Sequence, residues 1–275
     1  MRIMTFNILE GGDSLLGGRT YRRDLIARII RAADADVVAL QECTDWEKDD
    51  QKVLHDIERM VGMLAMLALT DGFPVALLVK PELSILNADA HTRGFWHGML
   101  DVVIADADSV PTRLLNAHLH PRDPDIKLAE IKEIISHHQP GERTVLMGDL
   151  NTLSHLDHLD ASKLAEQTLA RHTKDGELDF RVTKTLEAHG FVDAYAAFHL
   201  GERRPTIPTA AARDSEFSPV RMDYIFVSRE LKSSLVSCEL VESEDAQIAS
   251  DHFPLLLEIS DPPTNGAVRS LSDGR

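Results

Sequence analysis

Thr144-Val145-Leu146-Met147-Gly148-Asp149-Leu150-Asn151 is the stretch on which the reading of this chain turns. The four residues before Gly148 are apolar or β-branched, and a run that short predicts a buried strand rather than a helix. The strand runs straight into an acid where a core would place another apolar side chain. The same pattern recurs along the chain. Thr5-Phe6-Asn7, Gln41-Glu42, Asn116-Ala117-His118-Leu119-His120 and Ser250-Asp251-His252 are likewise read as strand ends carrying polar residues, and Arg221-Met222-Asp223-Tyr224 opens a strand. Side chains at strand ends converge on one edge of a sheet, where they can meet in a cleft.

Around these segments, short apolar runs alternate with helical stretches. Strands are expected at Ile3–Leu9, Asp36–Leu40, Leu64–Leu69, Val75–Val79, Ser84–Asn87, Met99–Ala105, Arg113–Ala117, Tyr224–Val227, Ser234–Leu240 and Leu255–Ile259. Leu25, Ile26, Ile29 and Ile30 have helical spacing, which places a helix over Tyr21–Ala33. Trp46–Val61 and Asp125–His138 read as two more. The polar middle, Thr152–Ala188, reads as mostly helical, with its best helices at Lys163–Ala170 and Val182–Ala188. No repeat at a fixed period is present. Strands outnumber helices and both occur throughout, which favours an α/β sandwich of two packed sheets with helices outside.

Composition narrows the class. A chain of 275 residues can build one large core. Residues 1–262 are expected to form a single catalytic domain. Asp261–Arg275, rich in Pro, Gly and Ser and without apolar periodicity, reads as loose, so 263–275 is expected to be a flexible tail. Met1-Arg2-Ile3-Met4 reads as the start of a buried strand rather than a cleavable leader. The longest apolar run, Val61–Leu69, is too short to span a bilayer. Cys43 and Cys238 have no metal-ligand spacing and read as thiols in a reducing compartment, so a cytoplasmic location is expected. The formal charge of −16 argues against a tight nucleic-acid binder, although local cations and a metal can hold a phosphate on an acidic protein.

The polar strand-end residues make a coherent set. Glu42, Asp149 and Asp251 are hard oxygen donors, and Asn7 and Asn151 add amides. Such a set suits Mg²⁺ or Mn²⁺ and not zinc, because the histidines lack closed tetrahedral spacing. His118 and His252 supply imidazoles able to donate to a phosphoryl oxygen. A hard metal, a general base and fixed donors are what phosphoester hydrolysis needs.

In this order the six segments resemble the motifs of the endonuclease/exonuclease/phosphatase superfamily, over Ile3 to Leu256. The resemblance implies a DNase I-like fold: a four-layered α/β sandwich with two packed, mostly antiparallel sheets flanked by helices. It implies Asn7, Glu42 and Asp251 as metal residues, with Glu42 the principal ligand. It implies His118 as a donor to the phosphate, Asp149 as the residue that orients or deprotonates the attacking water, and Asn151 as a holder of that water or a phosphate oxygen. Asp223 would orient His252, and His252 would stabilise the pentavalent phosphorus or move a proton. Which of Asp149 and His252 serves as the general base stays open. His120, Arg122 and Glu10 are candidate substrate contacts; Glu10 stands one residue beyond the position where some DNA-repair members carry an acid, which here is Leu9. No basic, aromatic-rich insertion of the kind that grips duplex DNA is evident. The expected activity is therefore hydrolysis of a small or lipid-linked phosphoester, with a DNA or RNA nuclease as the alternative and a non-catalytic scaffold as the rival from another class. The partner is the phosphoester substrate, nucleic acid being one candidate; no protein partner is implied.

Each residue also has an ordinary structural reading. Asn7 could close a turn, Glu42 or Asp251 could sit at a helix start, Gly148-Asp149 could be a simple turn, and Asp223 could pair with Arg221 at the surface. Trp46, Phe95 and Trp96 could wall a cleft or belong to the core. His137-His138, at a helix end, is expected to be solvated, and His155 and His158 carry little metal signal.

Overall fold

A computed structural model describes residues 1–70, 73–105, 110–202, 204–212 and 216–260. The expected tail at 263–275 lies outside the described residues. The strands are β1 (Arg2–Asn7), β2 (Val37–Gln41), β3 (Leu64–Ala68), β4 (Val75–Val79), β5 (Ser84–His91), β6 (Met99–Ala105), β7 (Thr112–His118), β8 (Arg143–Asp149), β9 (Thr173–Lys174), β10 (Glu177–Leu178), β11 (Phe191–Asp193), β12 (Asp223–Ser228), β13 (Leu235–Leu240) and β14 (Leu255–Ile259). The helices are α1 (Arg23–Ala33), α2 (Lys48–Val61), α3 (Pro124–Ser136), α4 (Glu166–His172), α5 (Arg181–Ala188), α6 (Ala194–Phe198) and α7 (Ala246–Ala249).

Two six-stranded sheets result, in the orders β13-β14-β1-β2-β4-β3 and β11-β12-β8-β7-β6-β5. Each has one parallel pair, β1 with β2 and β7 with β8, and every other pairing is antiparallel. Each parallel pair is joined through a helix, α1 or α3, as a crossover between parallel strands requires.

Strand alternation sorts the side chains into layers. In β1, Ile3 faces the other sheet while Met4 and Phe6 face α1; in β2, Val37 and Ala39 face inward and Val38 and Leu40 outward. In the second sheet Leu114, Val145, Met147, Ile225 and Val227 fill the space between the sheets, while Leu115, Leu146, Tyr224 and Phe226 pack under α3 and α5. The order helix, sheet, sheet, helix is thus a four-layered sandwich.

Several elements differ from the reading of the sequence. β5 runs four residues past Asn87, because an exposed edge strand lacks the apolar alternation that marks a half-buried one. The Thr152–Ala188 segment is less helical than expected: α4 and α5 are there, but so is the small β9–β10 hairpin, turned at Asp175-Gly176 with both residues at positive φ. β11, α6 and α7 are three to five residues long and leave too short a pattern to read. Ser250-Asp251-His252 does not end a strand. It follows α7 and precedes β14.

Gly148 is a position no other residue can take. Its φ is 144°, and a Cβ there would stand 1.8 Å from the carbonyl oxygen of Ala117 on β7. Close approach of β7 and β8 at this point brings the ends of the two strands together.

Candidate active site

The same alternation that builds the core delivers the site. Continuing the inward-facing series of each strand past its apolar residues gives Asn7 from β1, Gln41 from β2, Asn116 and His118 from β7, and Asp149 from β8, with Asp223 at the start of β12. His118, Asp149 and Asp223 are register partners in a row across the second sheet. Asn7 and Gln41 are partners across the first. The site is therefore the place where the inter-sheet core gives way to polar residues at one end of the sandwich.

Beneath it a buried polar network ties the sheets together. Gln41 Nε2 donates to Asn116 Oδ1 at 2.8 Å, and Asn116 Nδ2 donates to the carbonyl oxygens of Leu40 and Ala76 at 3.1 and 2.7 Å. Every buried amide group there has a partner, so the network fixes the spacing of the two sheets directly under the catalytic candidates.

Asp149 lies at the centre and is buried. Its Oδ2 accepts from Asn7 Nδ2 at 3.0 Å and lies 3.5 Å from His118 Nε2 and 3.8 Å from His252 Nε2. Its Oδ1 accepts the N–H of Asn151 at 2.9 Å. Burial raises its pKa above the usual carboxylate range, opposed by the neighbouring His252. His252 Nδ1 is bonded to Asp223 Oδ2 at 2.8 Å, with Asp223 fully enclosed by protein and His252 at the cleft wall. Burial alone would lower the pKa of His252, but the carboxylates of Asp223 and Asp251 outweigh it and hold the imidazole protonated, well above its ordinary range. Asp223 is not paired with Arg221. That guanidinium is committed to Asp157 and Asp193, at 2.8 and 2.7 Å.

Glu42 stands opposite, at φ 59° just past the end of β2. Asn7 Nδ2 donates to its Oε1 and the Glu10 N–H to its Oε2, each at 3.1 Å. Burial and the nearby Asp251 push its carboxyl up to about 7. Two neighbouring carboxylates, with no Lys or Arg among the described residues paired to Glu42, make a donor set that fits a hard divalent cation. Asn7 stands between the Glu42 and Asp149 carboxylates. Its Oδ1 is taken by the Leu9 N–H at 3.1 Å, and its NH₂ bridges Glu42 and Asp149. Arg22 carries this loop: it is buried and donates to the carbonyl oxygens of Ile8, Leu9 and Ala249. It is thus a brace between the Asn7 and Asp251 segments rather than a free cation.

The cleft has a volume of about 160 Å³ and is lined by Glu42, Asp149, Asp251 and His252 together with residues that the sequence did not single out. Chief among these are Phe73, His97, Arg171, His172 and Phe217. His97 stacks on His118 with ring centroids 4.3 Å apart, and burial pushes the two imidazoles down to about 2 and about 3, so both are neutral. Arg171 lies over the Phe217 ring at 4.3 Å. Lys127, buried on α3, donates to the carbonyl oxygens of Asn151 and Arg171 at 2.6 and 3.2 Å and so anchors two walls of the cleft. Burial lowers its pKa to about 8. No motif pointed to these residues, because each comes from a loop or helix face whose place depends on tertiary packing.

The remaining candidates do not line the cleft. β7 stops at His118, so the strand alternation that would put His120 on the same face does not reach it. Its Nδ1 instead accepts the N–H groups of Arg122 and Asp123, at 3.1 and 2.9 Å. Arg122 and Glu10 are exposed. Trp46 is core, with Nε1 donating to Gly11 O at 3.1 Å; Phe95 packs beneath the outer helices; Trp96 is 58% exposed against His120.

Residues 4–252 match the Endonuclease/Exonuclease/phosphatase family. The chain belongs to that family. It is accordingly a metal-dependent phosphoric-ester hydrolase with the two-sheet DNase I-like architecture described above. Among solved structures it is similar to an AP endonuclease from Archaeoglobus fulgidus, at 17% identity and a TM-score of 0.70 over 94% of this chain and 99% of that one. It is similar to truncated TDP2 from Caenorhabditis elegans, at 18% identity and a TM-score of 0.63 over 93% and 96%. It is also similar to the APE2 catalytic domain from Xenopus laevis, at 19% identity and a TM-score of 0.67 over 94% and 91%. At these identities the likeness is one of fold. No curated protein sequence matches the chain. Among the described residues no helix is long and apolar enough to cross a membrane.

Proposed function

We propose that this member of the family is a Mg²⁺- or Mn²⁺-dependent hydrolase of a small or lipid-linked phosphoester, acting by in-line attack of water, with residues 1–262 as one catalytic unit. The observation that carries the reading is the convergence on Asp149 Oδ2 of one amide and two imidazoles of opposite charge state, neutral His118 and protonated His252.

In this reading Asp149 orients and deprotonates the water. Its raised proton affinity makes it a better base than an exposed Asp, and the Asn7 and Asn151 donors keep its lone pairs aimed. Protonated His252 donates to a phosphoryl oxygen as charge grows in the transition state, and Asp223 fixes its ring and its charge. Neutral His118 donates a second hydrogen bond without adding charge. Asn151, whose Nδ2 donates to Leu119 O at 3.1 Å, holds the adjoining loop. Glu42 and Asp251 would hold the divalent cation, and Asn7 would set the Glu42 carboxylate. When bound, the metal would neutralise phosphate oxygens and stabilise the leaving oxygen. Arg171, with Arg122, His120 and Glu10, would meet the part of the substrate beyond the phosphate.

Two features favour a small or lipid-linked substrate. The chain carries a formal charge of −16, and the cleft walls beyond the acids are aromatic or apolar at Phe73, Ile207, Phe217 and Met222. Nuclease activity is the second reading, favoured by the shared fold with an AP endonuclease. A screen with Mg²⁺ and with Mn²⁺ separates them. It should cover bis-p-nitrophenyl phosphate, p-nitrophenyl phosphate, phospholipids, DNA and RNA. Faster turnover of the small or lipid esters, with little salt dependence, supports the first reading. Preferred cleavage of DNA or RNA that weakens steeply with salt overturns it in favour of the second.

A further inference from the structure

We propose that His91, Asp101 and His137 form a second metal site, outside the catalytic cleft, for a late first-row divalent cation such as Zn²⁺. One ligand atom from each residue lies within 4.8 Å of the others. None of the three lines the cleft.

The site is built by three elements. His91 ends β5, and Asp101 lies on β6 two residues beyond the register partner of His91, so strand alternation sets both side chains on one face. That face packs under α3, and His137 is the residue that caps the C-terminal end of α3. His137 Nδ1 lies 3.0 Å from Asp101 Oδ2, and the His91 and His137 rings meet edge to face with centroids 4.4 Å apart. His137 is therefore not the solvated helix-end residue that the sequence suggests.

The ordinary explanation is a histidine donating to a carboxylate, with a second ring packed beside it. It leaves one atom unaccounted for. His91 Nε2 is shielded from solvent and has no hydrogen-bond partner. A buried ring nitrogen without a partner is costly and uncommon. A cation shared by the three side chains gives it a partner and uses the carboxylate at the same time.

The donor chemistry selects the metal class. Two imidazole nitrogens and one carboxylate oxygen are a borderline set, suited to Zn²⁺, Co²⁺ or Ni²⁺ and a poor one for Mg²⁺. Arg113 is the nearest counter-argument, since its Nη1 donates to both oxygens of Asp101 at 2.8 Å. Its Nε and Nη2 face Glu142, at 3.2 and 3.3 Å, so its charge is shared between two carboxylates. Asp89 is the register partner of Asp101, and Glu133 lies 4.0 Å from His137 Nε2, so Arg113 is faced by several acids among the described residues. A carboxylate ligand held by a hydrogen bond from behind is a usual arrangement in metal sites. Glu133, which is exposed, or water can complete the coordination. The ion would pin the edge strand β5 and the end of α3 to the sheet.

The test counts Zn²⁺ by equilibrium dialysis for the full chain, wild type against His91→Ala and His137→Ala, in excess Mg²⁺. Whatever the catalytic cleft takes up, wild type is expected to bind one equivalent more than either variant. Zn²⁺ should raise the melting temperature of wild type by more than that of either variant. Phosphoesterase activity in Mg²⁺ should be the same in all three. Equal Zn²⁺ counts in the three proteins overturn the site. Should a variant fail to fold, Co²⁺ added to wild type decides: intense four- or five-coordinate visible bands sustain the site, and only the weak bands of six-coordinate Co²⁺ refute it. These readouts do not depend on which phosphoester the cleft hydrolyses.

Discussion

Replacing Asp223 by Asn separates charge from shape at the site. Asn keeps the volume and can still accept from His252 Nδ1, but the negative charge that helps hold the imidazole protonated is gone. Asp223 is fully buried and His252 nearly so, and their bond is 2.8 Å long, so the loss is that of a charge-assisted hydrogen bond largely shielded from water. Such bonds contribute about 2–3 kcal/mol. If that energy is spent on the transition state, kcat falls by about 10²-fold, since each 1.36 kcal/mol is a factor of ten. KM should change little, because Asp223 does not line the cleft. The pH profile supplies the second readout. His252 is held above its ordinary value of 6.5, so wild-type activity should persist into alkaline solution, and in the variant its limb should shift to lower pH. Stability follows the same sign. A raised histidine pKa gives stabilisation that is fully present below about pH 6.5 and is lost as pH rises through the folded-state value. The Asn variant should show that dependence weakened, since Asp251 and Asp149 still act on the ring. The measurements are steady-state kinetics from pH 5 to 10 and an NMR titration of the His252 ring. A folded variant with kcat within about threefold of wild type and an unmoved pH limb would refute the role given to Asp223.

Other expectations follow from the same geometry. Asp149→Asn should lower kcat by about 10²–10³-fold while leaving metal affinity nearly intact, as tested by turnover and calorimetry together. Metal binding should release a proton below neutrality, because Glu42 sits at about 7 in the metal-free protein; apparent affinity should rise about tenfold per pH unit up to that point and then flatten, and Glu42→Ala should abolish the slope. Gly148→Ala should destabilise the fold by about 3 kcal/mol or more, seen as a lowered urea midpoint, since its Cβ would stand 1.8 Å from Ala117 O at a φ that side chains avoid. Lys127→Met should keep the fold and lower kcat by about tenfold, through a loosened Asn151 loop and Arg171 wall, with ordinary melting and reduced turnover as the joint readout.

Most of the strand framework is legible in the amino-acid sequence, because buried strands print themselves as short apolar runs and their polar ends stand out against them. Met147-Gly148-Asp149 is the clearest case: the alternation that puts Met147 in the core puts Asp149 at its mouth. Asn7, Glu42, His118, Asp149, Asp223, Asp251 and His252 are named by their segments, and the folded chain brings them to one place. What strand alternation does not carry is the surrounding wall. His97 and Phe217 reach the cleft from loops and Arg171 and His172 from the end of α4, all placed by packing, and Lys127 and Glu130 face inward from α3 while its other polar residues are exposed. The orientation of Asn7 is likewise invisible in sequence, since its amide turns according to which neighbours are carboxylates. β11, α6 and α7 are shorter than the window in which periodicity can be seen, and β5 is an edge strand without an apolar face.

The central claim is that Asp149, poised by Asn7, His118 and His252, drives attack of water on phosphorus with the help of a hard divalent cation. Hydrolysis of bis-p-nitrophenyl phosphate in ¹⁸O-labelled water tests it most directly. With Mg²⁺ or Mn²⁺ the label should appear in the phosphate product; removal of the cation by EDTA should stop the reaction, and Asp149→Asn should slow it by about 10²-fold or more. Turnover that survives both EDTA and Asp149→Asn, or label found in the p-nitrophenol instead, would contradict the account.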